Sequence, residues 1–234
     1  MDTGQNEPVP GADAYKTESL PVQSPPKVGY RKTREKYPAE RFSSMIRRLN
    51  PIAAINGTYF DTITKRPVGT IVINGQLVHV GDRGTAMCLD SNNRVEFLLT
   101  SGIPGTAMDW TRYRTVISTG PTLVRNDRIY LYPRAEKFKD PAVYARARRS
   151  AVGVTMENKL LLVTVKRKIT LRQLARIMKA LGARDAVALD GGTSSGLYYR
   201  GKMVTKPGRT LTNILSVYET PSPALSPGPN RVPD

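Results

Sequence analysis

The sequence predicts a single α/β domain of the α+β-like kind, with a curved, largely antiparallel sheet packed by a few helices. Three observations predict it. Short apolar runs recur on either side of turn residues, as in Ile71-Val72-Ile73 and Gln76-Leu77-Val78 about Asn74-Gly75, the strongest short hairpin signal. Two segments carry apolar residues at helical spacing instead. The 234 residues, 39% of them hydrophobic, suit one core with flanking segments.

The flanks come first. Residues 1–36 contain Pro8, Pro10, Pro21, Pro25 and Pro26 without apolar periodicity and read as an extended leader or linker. Residues 220–234 hold five prolines in fifteen. They cannot continue a helix or pair in a sheet, and they read as a disordered tail. The domain is expected over residues 37–219.

Its first helix places Phe42, Met45, Ile46 and Leu49 on one face, with Pro38 at the first turn and Pro51 as the stop. Ile52–Ile55 follows as a buried strand. Hairpins are expected about Asn74-Gly75, Ser91-Asn92-Asn93, Arg125–Arg128 and Glu157-Asn158-Lys159. The second helix spans Leu171–Leu181, with Leu171, Leu174, Ala175, Met178 and Leu181 as its apolar stripe. Thr170 with Gln173 forms a capping box, and Gly182 ends the helix. Ala186–Leu189 is a buried strand, a hairpin turns at Arg200-Gly201-Lys202, and Ile214–Tyr218 closes the sheet.

Several chemistries are excluded by counting. The one histidine, His79, is expected at a sheet surface and leaves no Ser-His-Asp triad or multi-histidine metal site. The one cysteine, Cys88, sits in a strand and reads as a small buried hydrophobe. No run approaches the ~18 apolar residues of a membrane-spanning helix. No protein cofactor is expected, although a divalent ion such as calcium or magnesium on oxygen ligands like Asp190 stays open.

The formal charge is +17. Between Arg112 and Arg149 there are ten Lys or Arg against three Asp or Glu, and Lys166, Arg167, Lys168, Arg172 and Arg176 follow. Such a surface attracts anionic partners. Nucleic acid is disfavoured by the low aromatic content, 7%, and the lack of a recognition helix. Phosphate-bearing glycans fit better.

The sharpest motif is Asp190-Gly191-Gly192-Thr193-Ser194-Ser195, which follows the buried strand. Most Asp-Gly pairs are tight turns. Here two glycines permit close backbone approach, successive N–H groups can cradle an anion, and three hydroxyls add donors. Asn56-Gly57-Thr58-Tyr59-Phe60-Asp61 has the same form, a strand ending in polar groups, with Tyr59 and Phe60 assigned to the core. Arg149 opens a strand in Arg148-Arg149-Ser150-Ala151-Val152-Gly153 and offers a fork for phosphate. Ser118-Thr119-Gly120-Pro121 and the segment from Pro207 to Asn213 are weaker signals.

In this order and spacing, Ala54–Asp61, Gly120-Pro121, Arg149–Gly153, Ala188–Ser195, Arg209 and Asn213 resemble the phosphodiester glycosidase family over about residues 40–219. Thr193 stands where many members have a third glycine. The resemblance implies hydrolysis of an α-linked sugar 1-phosphodiester, such as one of N-acetylglucosamine in an envelope or exopolysaccharide glycan. The residue types suit it: a phosphate leaving group needs a cation and oriented donors more than a proton, and a carboxylate must serve the sugar centre. Asp190 is the expected catalytic carboxylate, Asp61 the second, and Arg149 the phosphate cation. Asn56, Gly57, Gly120, Gly191, Gly192, Thr193, Ser194, Ser195, Arg209 and Asn213 are expected to hold substrate. The alternative is a non-catalytic module for anionic glycans. Export is implied by the resemblance and the linker-like ends, with a cytoplasmic location as the alternative, since Met1–Pro10 lacks the apolar run of a signal peptide.

Overall fold

The computed structural model describes residues 16–21, 37–103 and 105–219. Among the described residues, fifteen strands form three five-stranded sheets, and every pairing is antiparallel. The antiparallel expectation therefore holds, with the strands shared among three sheets.

The first sheet contains β1 (Lys16–Pro21), β2 (Ala53–Asn56), β13 (Leu197–Tyr199), β14 (Lys202–Thr205) and β15 (Asn213–Tyr218), in the order β1-β15-β2-β13-β14. The second contains β8 (Thr122–Arg125), β9 (Arg128–Ile129), β10 (Ala147–Thr155), β11 (Leu160–Ile169) and β12 (Ala183–Leu189), in the order β11-β10-β12-β8-β9. The third contains β3 (Ile71–Ile73), β4 (Gln76–His79), β5 (Thr85–Asp90), β6 (Val95–Leu99) and β7 (Tyr113–Thr119), in the order β4-β3-β7-β5-β6. β1 lies within the segment read as a leader. The rest of that segment and the proline-rich tail from residue 220 lie outside the described residues.

Alternation along β12 shows how the layers divide. Ala186 and Ala188 face helix α3 (Leu171–Ala180), packing with its Leu171, Leu174, Ala175 and Met178. Val187 and Leu189 face the other way, into a core shared with Ile55 and Leu215 of the first sheet and Met87, Leu89 and Ile117 of the third. A strand that buries both faces reads as an unbroken apolar run, which is why Ala186–Leu189 stands out in the sequence. Helix α1 (Phe42–Leu49) lays Phe42, Met45 and Ile46 on Ala54, Leu211 and Ile214, and a single-turn helix, α2 (Pro141–Tyr144), capped by Asp140, precedes β10. Helix α1 starts four residues after Pro38 and ends at Asn50 in the left-handed conformation. The outer face of the third sheet is covered by the only tryptophan, Trp110.

The capping box at Thr170 and Gln173 forms as expected. Leu181, read as part of the stripe, is instead half exposed beyond the last turn. Asn74 and Gly75 both take positive φ, as a two-residue hairpin requires. His79 is buried, with Tyr37 edge-on at 5.7 Å between ring centroids. The alternation that put it at a surface could not anticipate the covering segment about Tyr37. Cys88 is fully buried, and burial pushes its thiol far above its usual range, which leaves it inert.

Candidate active site

The ends of strands from all three sheets meet at Asp190. From the first sheet, Asn56 at the end of β2 donates from Nδ2 to the Asp190 carbonyl at 2.7 Å, and its Oδ1 accepts from the Gly196 N–H at 3.0 Å. The Asp190 N–H donates to the Gly57 carbonyl at 3.2 Å. From the third sheet, Gly120 N–H and Thr119 Oγ1 both donate to the Ala188 carbonyl at 2.9 Å. Asp190 is thus fixed on both flanks by residues distant in sequence.

Four residues expected to hold substrate do this anchoring. The Asn56 side chain is committed to backbone at both ends. Asn213 accepts from the Thr58 N–H at 2.8 Å and donates to Thr212 Oγ1 at 2.9 Å. Gly57 has to be glycine because a Cβ there would sit 1.8 Å from Asn213 Oδ1. A Cβ on Gly120 would press on Phe138 at 3.1 Å and Glu136 Oε2 at 3.2 Å, at a φ of +142°.

The Asp190 carboxylate is buried, 7% exposed. Arg209 donates from Nη2 to its Oδ2 at 2.8 Å and from Nε to Ser194 Oγ at 2.6 Å, and the Ser194 hydroxyl bonds Asp190 in turn. Burial raises the Asp190 pKa, against the pull of Ser194 and Arg209. The Arg209 guanidinium lies 4.4 Å from the centroid of Phe60, a cation–π contact that fixes its plane.

The two glycines of the loop differ in purpose. Gly192 takes φ +60°, the left-handed region. Gly191 has an ordinary extended backbone, but a Cβ would come 2.8 Å from the Arg148 carbonyl. Gly192–Ser194 forms a 3-10 turn in which Ser194 is buried and Thr193 exposed. Thr193 accepts through its carbonyl from the Gly208 N–H at 2.7 Å, so the segment carrying Arg209 is tied to the loop. The Ser195 hydroxyl is buried without a hydrogen-bond partner.

Arg149 is 3% exposed and held by carbonyls: Nε donates to Ile169 at 3.3 Å, and Nη2 to Val143 at 2.9 Å and Ala145 at 2.5 Å. Burial lowers its pKa, although a guanidinium stays protonated. Its Nη1, which would lie 3.9 Å from a Cβ on Gly191, has no acceptor among the described residues. This is an anchored cation with one nitrogen left over beside the Asp190 loop.

Asp61, expected as the second catalytic carboxylate, is engaged in its own turn. It is exposed, and its Oδ1 accepts from the N–H groups of Ile63 and Thr64 at 2.9 and 2.6 Å and from Thr64 Oγ1 at 2.9 Å. These bonds hold its carboxyl below the usual carboxylate range. A carboxylate followed closely by hydroxyl and N–H donors caps its own turn, and Asp61 makes no hydrogen bond to the Asp190 loop among the described residues.

Two buried groups near the loop escaped the sequence reading. Tyr59, assigned there to the core, is half-buried as a residue, and its hydroxyl is buried and unpartnered. Burial pushes the phenol pKa up, and the nearby Asp190 charge adds to this while Arg149 opposes it. Its place in the Asn56–Asp61 segment was the available signal. Glu136 is 1% exposed; it accepts from the Thr122 N–H at 2.9 Å and from Thr122 and Thr85 hydroxyls at 3.0 and 3.1 Å. Burial raises its pKa against those bonds. Nothing in its basic surroundings, Arg134 to Lys139, marked it. Among the described residues, no three of His, Cys, Asp and Glu gather as metal ligands would, and no helix is long and apolar enough to cross a membrane.

The family model for phosphodiester glycosidases matches residues 50–218, the stretch that carries all of these strand ends, and the chain belongs to that family. Among solved structures it is similar to the zebrafish N-acetylglucosamine-1-phosphodiester alpha-N-acetylglucosaminidase catalytic domain auto-inhibited by its pro-peptide. That match has 22% identity and a TM-score of 0.67, over 78% of this chain and 68% of that one. A hypothetical protein from Synechocystis matches at 14% identity and a TM-score of 0.73, over 90% of this chain and 58% of that one. At such identities the likeness is one of fold. No curated protein matches the sequence.

Proposed function

We propose that this chain is a hydrolase that breaks the anomeric C–O bond of a sugar 1-phosphodiester, with an α-linked N-acetylhexosamine as the sugar. The observation that carries the reading is the pairing of one buried carboxylate, Asp190, with two cations beside the Gly191-Gly192 turn: Arg209 bonded to it and Arg149 with Nη1 unengaged. The zebrafish relative is named for an N-acetylglucosamine 1-phosphodiester, which guides the choice of sugar.

Arg149 Nη1 and the donors of the 191–195 turn hold the phosphate. As the C–O bond breaks, the electron pair leaves on the phosphate oxygen, where these fixed charges stabilise it without protonation. Ionised Asp190 faces the positive charge that develops at the anomeric carbon and takes a proton from the water that adds there. The products are a free sugar and a phosphate monoester. Tyr59 and Ser195 offer the buried hydroxyls that the free protein leaves unbonded, and each gains a partner when substrate enters.

The natural substrate in this reading is an envelope or exopolysaccharide glycan met after export. The charge of +17 favours such anionic polymers, and fractionation of the producing cells tests the location. The chemistry is tested by incubating the protein with a chromogenic N-acetylglucosamine 1-phosphodiester, beside Asp190→Asn. Release of free sugar by the wild type alone supports the assignment. Binding of the diester without turnover by a folded wild-type protein replaces it with a non-catalytic glycan-binding role.

A further inference from the structure

Strands β10 and β11 keep register except at one place. Ala147 pairs with Ile169 and Arg149 with Val165, so Arg148 alone stands opposite Lys166, Arg167 and Lys168. All three are cationic and exposed. Residues added on one side of a ladder are pushed out of it, and such bulges recur beside active sites.

This bulge adjoins the site. The Arg149 Nε donates to the carbonyl of Ile169, the residue that closes the bulge. Arg146 Nη2 donates to the Lys168 carbonyl at 2.9 Å, and Arg148 Nη2 to the Lys206 carbonyl at 3.3 Å. Lys206 opens the segment whose Gly208 is tied to Thr193 and whose Arg209 reaches Asp190. The backbone that carries Lys206 and Arg209 is thus joined through Arg148 to the strand opposite the bulge.

The charge about the bulge is uncompensated. Among the described residues, none of Lys166, Arg167, Lys168 and Lys206 forms an ion pair. The Nε of Arg148, between them, is buried with no partner. Such a cluster repels itself unless an anion joins it. The bulge begins one residue beyond the partner of Arg149 and ends within about 10 Å along the strand, roughly the reach of the next unit of a glycan chain.

We propose that the Lys166–Lys168 bulge binds a second anionic group of the substrate, beyond the scissile phosphate, so that the protein acts on polyanionic glycans with phosphodiesters at intervals in preference to isolated sugar phosphates. This rests on the function proposed above. A glycan is favoured over nucleic acid because neither β10 nor β11 carries an aromatic side chain, and unpaired bases need aromatic platforms.

The test compares wild type with Lys166→Ser/Arg167→Ser/Lys168→Ser and, as a second variant, Arg167→Glu. Two probes are used: a fluorescent N-acetylglucosamine 1-phosphate oligomer with four phosphodiester links, and a chromogenic diester with one phosphate and a neutral leaving alcohol. We expect the triple variant to bind the oligomer roughly tenfold more weakly, with a shallower salt dependence, and Arg167→Glu to shift in the same direction. We also expect kcat on the single diester to stay as in wild type. Equal oligomer binding by wild type and both variants overturns the proposal, as does tighter binding of single-stranded DNA than of the oligomer. If no diester is cleaved but oligomer binding still depends on the bulge, the catalytic reading fails and this site stands. Cleavage with no preference for the oligomer retains the catalytic reading and removes this one.

Discussion

Asp190 sits between two opposing demands. A buried carboxylate prefers to be neutral, while Arg209 and Ser194 favour its charge. The ionised form is the one the proposed reaction uses, so kcat/KM should fall on the acid side with an apparent pKa above the ~3.9 of a free aspartate. Removing the counter-charge in Arg209→Gln should move that acid limb to higher pH, measured as a pH–rate profile of the variant beside wild type. An unmoved limb would mean that some other group sets the profile. Asp190→Asn should lower kcat/KM by roughly 10²–10⁴-fold with the fold retained by circular dichroism. Tyr59 makes the complementary case. Its hydroxyl is buried without a partner, and such a group costs stability. Tyr59→Phe should therefore leave the melting temperature equal or higher while activity falls; unchanged activity would remove Tyr59 from the site. The sequence made Asp190 legible because polar groups that end buried strands are conspicuous, and Arg149 because it opens one, whereas Arg209 was picked out through the family resemblance. The local capping role of Asp61 was not legible, because a carboxylate that caps its own turn and one that faces a ligand read alike until the chain is folded.

The elements matter here chiefly through their ends. Helices α1 and α3 could be read from their 3.6-residue periodicity, and the α3 start from its capping box, whereas the single turn of α2 is too short to show a period. Thr170→Ala should cost about 1 kcal/mol in chemical denaturation, with no change in kcat, because α3 packs on the side of β12 away from the shared core. Gly57 is a different kind of position. Its hydrogen looks onto Asn213 Oδ1, with no room for a methyl group. Gly57→Ala should displace β2 from β15 and disturb the carbonyl that receives the Asp190 N–H, lowering both stability and activity. Gly57→Ala combined with Asn213→Gly should recover part of the stability, which a thermal melt would show. The hairpins were legible wherever a turn residue forced positive φ, as at Asn74-Gly75. Strand β1 was not, because its partner β15 lies at the other end of the domain and its own residues carry no alternation. The grouping of strands into three sheets escaped for the same reason: hairpin signals give neighbours in sequence, and only β2, β7 and β12 meeting across the shared core fix the rest.

At the scale of the whole molecule, one titration stands apart from the site. Burial beneath Tyr37 and the nearby Arg66 charge lower the His79 pKa to about 4. Between that value and the ~6.5 of a free histidine the unfolded chain binds the extra proton. Stability should thus be full above about pH 6.5 and decline as pH falls towards 4, by up to about 3 kcal/mol. His79→Gln should flatten that slope, seen as denaturation midpoints across the range; an unchanged slope would assign it to other groups. The site itself is put together from Asn56, Gly120, Asp190 and Asn213, one contribution or more from each sheet. No contiguous stretch of the polypeptide contains it, and nothing short of the completed chain topology can produce it. Catalysis should then behave as an all-or-none reporter of folding. Trp110, lodged on the outer face of the third sheet, gives an independent optical signal from a remote wall of the same body. In a urea series the decay of turnover and the change in Trp110 emission should superimpose on one cooperative curve, and turnover that vanished first would expose the three-sheet junction as a separate, weaker cooperative unit.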